Sequence, residues 1–185
     1  LEYLGMVKAA IWTDLDLDGN LDLVVAGEWM PITVFINKSG KLLNETSNFG
    51  LDKSSGWWNS LAAEDLNNDG YPDIVVGNLG LNSRLKTLDN LPVKMMVKDF
   101  DQNGSVEQVI SYPNEGNYFT VASKDELVKQ IPILKKDFVS YQDFAGKTVE
   151  EVFSSIDLNN AKHLEAKQFE SRVLINQKGK SFLTN

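Results

Sequence analysis

The sequence predicts a mainly β chain of repeated antiparallel hairpins with one short helical insertion, and three observations lead there. A nine-residue acidic pattern, D-x-[D/N]-x-D-G-x-x-D, starts at Asp14 and Asp65 and recurs more loosely at Asp99. The first two copies run directly into apolar, β-branched stretches, Leu23-Val24-Val25 and Ile74-Val75-Val76, and the third reaches Val109-Ile110. Such runs suit strands buried on both faces. A second motif, Val34-Phe35-Ile36-Asn37-Lys38-Ser39-Gly40-Lys41, returns 139 residues later as Val173-Leu174-Ile175-Asn176-Gln177-Lys178-Gly179-Lys180.

The chemistry of the acidic pattern is that of a hard cation. Calcium takes about six to eight oxygens, so a short loop has to aim several side chains at one point and lend a backbone carbonyl. Positions one, three, five and nine supply the side chains. They are Asp14, Asp16, Asp18 and Asp22 in loop one, and Asp65, Asn67, Asp69 and Asp73 in loop two. Loop three offers Asp99, Asp101, Asn103 and Glu107. Position seven, Asn20, Tyr71 or Ser105, supplies the carbonyl, and the glycine at position six permits a sharp turn of positive φ. An EF-hand begins in the same way but requires a glutamate at position twelve and flanking helices. Position twelve here is Val25, Val76 or Ile110, so a helical EF-hand is not expected. Asn103 and Glu107 lower the charge and lengthen the reach of loop three, for which weaker affinity is expected.

Loops of this form, together with Gly56-Trp57-Trp58-Asn59-Ser60 and Gly77-Asn78-Leu79-Gly80-Leu81-Asn82, resemble the FG-GAP or VCBS repeats of integrin-α-like β-propellers. Within that family the chain is similar to bacterial proteins related to cartilage acidic protein. The resemblance implies a partial β-propeller with calcium held between two strands of each blade. It further implies a non-catalytic scaffold for protein interaction or adhesion.

In chain order, Val7–Thr13 reads as a strand entering loop one and Leu23–Ala26 as the strand leaving it. Trp29–Ile36 alternates as a third strand, and the polar turn Asn37–Lys41 leads to a fourth at Leu42–Asn44. Val93–Val97, with Met95 and Met96, reads as strand core. Ser123 with Glu126 forms a capping box ahead of Leu127, Val128 and Ile131, which recur at helical spacing. Pro132 opens a second short helix through Leu134 and Phe138. Thr148 with Glu151 repeats the box. Residues 123–153 are thus expected to form a helical insertion, with β blades over about 1–122 and 157–185 and further strands near 163–169 and 172–176. The loop intervals of 51 and 34 residues are irregular but average near propeller-blade length. A closed ring needs more blades than 185 residues provide, so the remaining blades of a larger parent chain are expected, with any targeting signal outside this stretch.

Composition limits the remaining possibilities. A net charge of −8 argues against nucleic acid as a partner, because binding there needs basic patches. Ten of the 26 acidic residues lie in the three loops, so much of that charge reads as ligand charge for calcium. No apolar run approaches the roughly 20 residues of a membrane-spanning helix. Cysteine is absent, which excludes disulfides and thiolate metal sites. Calcium-supported loops suit an extracytoplasmic setting: secreted, periplasmic or at the cell surface.

No catalytic residue is expected, since carboxylates committed to calcium are poor proton shuttles and no nucleophile or phosphate-loop motif accompanies them. The lone His163 reads as a surface or strand residue. The partner is then an unidentified protein or glycan. An alternative is a carbohydrate-binding or accessory module of a polysaccharide-utilising system, with Trp57 or Trp58 stacking on sugar rings. Core packing is the more frequent use of such tryptophans.

Overall fold

The computed structural model describes residues 4–88 and 90–184. In chain order the first strands are β1 (Met6–Thr13), β2 (Asp22–Met30), β3 (Thr33–Lys38), β4 (Lys41–Asn44), β5 (Gly56–Glu64) and β6 (Asp73–Asn78). The middle of the chain holds β7 (Val93–Lys98), β8 (Glu107–Asn114) and β9 (Asn117–Thr120), then helix α1 (Lys124–Gln130), a 3-10 turn (Pro132–Lys136), α2 (Tyr141–Phe144) and α3 (Val149–Val152). The chain returns to sheet with β10 (Lys162–Ala166), β11 (Arg172–Asn176) and β12 (Phe182–Thr184).

Two compact units result, one formed by residues 1–84 and 166–185, the other by residues 85–165. In the first unit, β1 to β4 pair consecutively as an antiparallel blade. A second blade follows the same order but borrows its outer strands from the far end of the sequence, running β5-β6-β11-β12. The register repeats as well: Leu23 pairs with Phe35 in blade one, and Ile74 with Leu174 in blade two. The irregular spacing is thereby explained. The loops recur after 51 residues and the strand-and-turn motif after 139, and the 88-residue difference is chain inserted between β6 and β11.

The core of this unit follows from the apolar runs after each loop. Val24, Ala26, Val34, Ile74, Val76 and Leu174 are closed off from solvent together with Leu15 and Trp58. Burying one such aliphatic side chain contributes about 1.5–3 kcal/mol, so this cluster is the main source of stability in the unit. The third strand begins later than its alternation indicated. Trp29 adopts φ 60°, the register shifts between Glu28 and Met30, and Pro31, lacking an N–H, cannot continue the ladder. β2 therefore runs through Met30 and β3 starts at Thr33.

In the second unit the sheet order is β10-β7-β8-β9. β7, loop three, β8 and β9 repeat the blade order, and helices follow where a fourth strand would come. Leu127, Ile131, Leu134, Phe138, Val149, Val152 and Phe153 pack with Met96, Phe100 and Val109 of the sheet side in one buried cluster. The expected boxes are formed at Ser123/Glu126 and Thr148/Glu151. The segment opened by Pro132 is a 3-10 turn and ends at Lys136, although Leu134 and Phe138 are buried as the spacing indicated. A further capping box, Ser140 with Asp143, starts α2 and was not anticipated. The strand expected over 163–169 stops at Ala166, beyond which Gln168 bridges to Gly56.

The caps make the helical segment sensitive to acid. Backbone N–H groups of Ser140 and Thr148 hold the carboxyls of Asp143 and Glu151 below the usual carboxylate range. A depressed folded-state pKa adds stability that is complete above the ordinary value of about 4 and disappears as pH falls through the lowered value. Amide protection at Thr148, whose N–H donates to the Glu151 carboxylate, should accordingly fall in acid below about pH 4, and Glu151→Gln should remove that step. Thr148→Ala should cost about 1 kcal/mol at neutral pH, read by urea unfolding.

Candidate metal centre

All three acidic loops fold in the same way, each closing a hairpin whose last pair joins the residue before the loop to position nine or its neighbour: Thr13 with Asp22, Glu64 with Asp73, Lys98 with Glu107. Position four is left-handed in every loop (Leu17 φ 58°, Asn68 φ 59°, Gln102 φ 57°), and so is the glycine at position six (φ 87°, 91° and 91°). Glycine adopts that conformation freely, whereas Leu17 carries a Cβ penalty there.

The side chain at position one accepts two backbone bonds that wind the loop around it. Asp14 takes the N–H of Asp18 at 3.1 Å and of Gly19 at 2.9 Å. Asp65 takes those of Asp69 and Gly70 at 3.2 and 2.8 Å, and Asp99 those of Asn103 and Gly104 at 3.0 and 2.9 Å. Position five accepts from the N–H of position seven: Asp18 from Asn20, Asp69 from Tyr71 and Asn103 from Ser105.

Position nine points inward. Asp22, Asp73 and Glu107 are buried, and each accepts the N–H of position two, from Leu15 at 2.8 Å, Leu66 at 3.0 Å and Phe100 at 2.9 Å. The extra methylene of Glu107 does not change this bond. In the two blades the second carboxylate oxygen takes the N–H of an asparagine at or next to the end of the third strand, Asn37 to Asp22 at 2.8 Å and Asn176 to Asp73 at 2.7 Å. Burial pushes the Asp22 carboxyl up despite these bonds.

The loops differ in how many carboxylates converge. Carboxylate oxygens of Asp14, Asp16 and Asp18 lie within 4.8 Å of one another, as do those of Asp99, Asp101 and Glu107. Among the described residues Asp65, Asp69 and Asp73 form no such group. The reason lies at position three. Asp16 and Asp101 each bury an oxygen, Oδ1, that has no hydrogen-bond partner. Asn67 instead satisfies itself, accepting from the Asp69 N–H at 2.9 Å and donating Nδ2 to Asp69 Oδ2 at 3.0 Å. A buried carboxylate oxygen without a donor is costly unless a cation meets it. The donor sets of loops one and three therefore fit a hard, oxygen-seeking cation. Asp22 stands outside the loop-one group, whereas Glu107 belongs to that of loop three. Asn20, Tyr71 and Ser105 remain in place as carbonyl donors at position seven.

Loop one has a neighbour that its sequence did not announce. Lys38, the first residue after Asn37, places Nζ 2.5 Å from Asp16 Oδ2 and 3.3 Å from Asp18 Oδ2. Contact with Asp16 raises the lysine pKa. Asp18 is held below the usual carboxylate range, first by the Asn20 N–H and side chain and then by Lys38. In blade two the corresponding residue is Gln177, which bonds its own strand at Ile175 O.

Blade two also docks on loop one through its outer turn. Asn176 donates Nδ2 to Leu15 O at 2.9 Å and to Pro72 O at 3.1 Å, and its Oδ1 accepts from Gly179 N. Gly179, at φ 69°, lies so close to loop one that a Cβ would come 2.6 Å from Asp16 Cα. Asn37 makes the equivalent bonds to Leu21 O and Gly40 N, while Gly40 has open space where Gly179 meets a neighbour.

Trp58 is fully buried and donates Nε1 to Ser54 O at 2.8 Å, which overturns its candidacy for sugar stacking. Trp57 packs on Trp29 with ring centroids 5.1 Å apart. His163 is an exposed residue of β10.

A protein-family model described as the FG-GAP-like repeat matches residues 14–76, from the start of loop one to the centre of β6. That match and the paired four-stranded blades describe a partial β-propeller carrying a short helical insertion. Searches of curated proteins and of solved structures returned no match.

The docking of turn on loop yields a graded prediction. Asn176→Ala strands Leu15 O, Pro72 O and Gly179 N in a buried site and should cost about 2–4 kcal/mol in urea unfolding. Asn37→Ala, whose bonds are solvent-accessible, should cost about 1 kcal/mol or less.

Proposed function

We propose that the chain is a calcium-stabilised segment of a β-propeller that works outside the cytoplasm as a non-catalytic scaffold for protein interaction or adhesion. The observation that carries this reading is the orphaned buried oxygen at position three of loops one and three, set among converging carboxylates in loops wound the same way. Calcium would be held by Asp14, Asp16 and Asp18 in loop one and by Asp99, Asp101 and Glu107 in loop three, with Asn20 and Ser105 lending carbonyls. Loop two, through Asp65, Asn67, Asp69, Tyr71 and Asp73, would hold it most weakly, because Asn67 already satisfies Asp69. This order differs from that expected of the sequence, where loop three was the weakest.

Bound calcium supplies charge neutralisation, allowing several carboxylates to share one small volume without repelling one another. Its role here is structural. The loops connect paired strands, so fixing them fixes the hairpin ends that an interacting surface would use. The FG-GAP-like match and the loop chemistry favour a secreted or cell-surface setting, with further blades of a longer chain beside these two. The relationship to bacterial proteins akin to cartilage acidic protein belongs to the same proposal, as does a protein or glycan partner.

Calcium binding to the folded state alone stabilises by RT ln(1 + [L]/Kd), so ~1 mM calcium at a Kd of roughly 10⁻⁴ M gives about 1.4 kcal/mol per site. Thermal unfolding in millimolar calcium should therefore exceed that in EDTA by an amount that Asp101→Asn reduces. Magnesium should substitute poorly, because it demands a smaller octahedral shell. An unchanged midpoint, with no calcium retained through purification, would remove the structural role.

A further inference from the structure

Loop one and loop three present the same orphaned oxygen, yet among the described residues only loop one has an ammonium on its ligand oxygens. Lys38 Nζ meets Asp16 Oδ2 at 2.5 Å and Asp18 Oδ2 at 3.3 Å, and Lys38 ends β3 next to Asn37, whose N–H is bonded to position nine. The backbone around the lysine is thus fixed to the loop it serves. The two contacts occupy one oxygen on each of two candidate ligands and leave Asp16 Oδ1 without a donor. Lys38 also borders a surface groove of about 280 Å³ whose wall includes Glu45, so a displaced ammonium has both space and a second carboxylate beside it. No comparable pairing exists in loop three among the described residues: the nearby Lys98 instead donates to Asp157 O and Asn159 O, both at 2.7 Å.

We infer that Lys38 is a built-in competitor for the cation of loop one: it neutralises Asp16 and Asp18 when calcium is scarce and yields when calcium is abundant. The inference rests on the calcium reading above and deepens it by setting the order in which the loops fill. Loop three binds at low calcium. Loop one binds only at higher calcium, once the ammonium has been displaced. Parting a unit positive charge from two carboxylates about 4 Å away weakens calcium binding by tenfold or more even in water-like surroundings. The end of β3 would then be tied to loop one by lysine in one state and released from that tie in the other.

The test is a calcium titration of the 185-residue chain followed at the position-six glycine amides by ¹⁵N-resolved NMR, which reads each loop separately. In Lys38→Met the Gly19 midpoint should fall by about tenfold or more while the Gly104 midpoint stays in place. Lys38→Gln should behave in the same way and serves if the methionine variant folds poorly. Lys38→Arg, which keeps the charge, should retain the wild-type midpoint. If Gly104 responds to calcium but Gly19 has the same midpoint in all variants, or responds in none, the inference is overturned and the calcium reading stands. If neither glycine responds in any variant, both are overturned.

Discussion

The buried carboxylate at position nine is the contact on which both blades depend. Asp22 and Asp73 each bind two backbone N–H groups from different segments, one inside their own loop and one at the end of a neighbouring strand. A carboxylate withdrawn from water is tolerated only when its oxygens are met, and once met it resists rearrangement, because every alternative leaves a charge unpaired. Each aspartate therefore fixes three strands at one point: the two that flank its loop and the third that packs beside them. Glu107 meets the loop bond through a longer side chain.

From this anchor the outer parts of the loops acquire their geometry. In loop one, with position nine directed inward, Asp14, Asp16 and Asp18 share a small volume, whereas in loop three Glu107 joins Asp99 and Asp101. Position one is occupied by backbone donors in all three loops, so the differences reduce to position three and to what lies opposite it. A single exchange of aspartate for asparagine, Asn67, turns an electrostatically demanding loop into one that satisfies itself. The loops look nearly interchangeable as a pattern. Their charge balance is not.

Much of the fold was legible because periodic signals are local. The nine-residue motifs, the apolar runs after them and two of the three capping boxes each depend on residues within one turn or hairpin of one another, and the structure places them where the spacing indicated. The recurrence of Asn37 and Asn176 was visible too, although its meaning as a bond to position nine needed the fold. Other features depended on distant partners. Nothing in the sequence brings Lys38 to Asp16, 22 residues away, or withdraws Trp58 from the surface while leaving Trp12 exposed. Trp29 reads as the start of a strand, yet the positive φ there belongs to a bulge forced by the corner at Pro31.

The clasp at the foot of the insertion bears on how the chain comes off the ribosome. Asn78 bonds Ser171 Oγ and Gln168 O at 3.1 and 3.0 Å, and Gly80 donates to Phe169 O at 2.8 Å, so the strand that leaves blade two and the strand that returns are tied together at the point of departure. During synthesis the first blade can close from nearby contacts, while the second must wait for its outer strands. At about 5–20 residues per second that delay is roughly 5 to 20 seconds. For all of that interval β6 has an unpaired edge open to the nascent chain and its neighbours, the hazard that sheet proteins ordinarily guard against. The insertion gathers a buried cluster of its own during the wait, and the chain then returns to supply β11 to the strand that has been waiting for it.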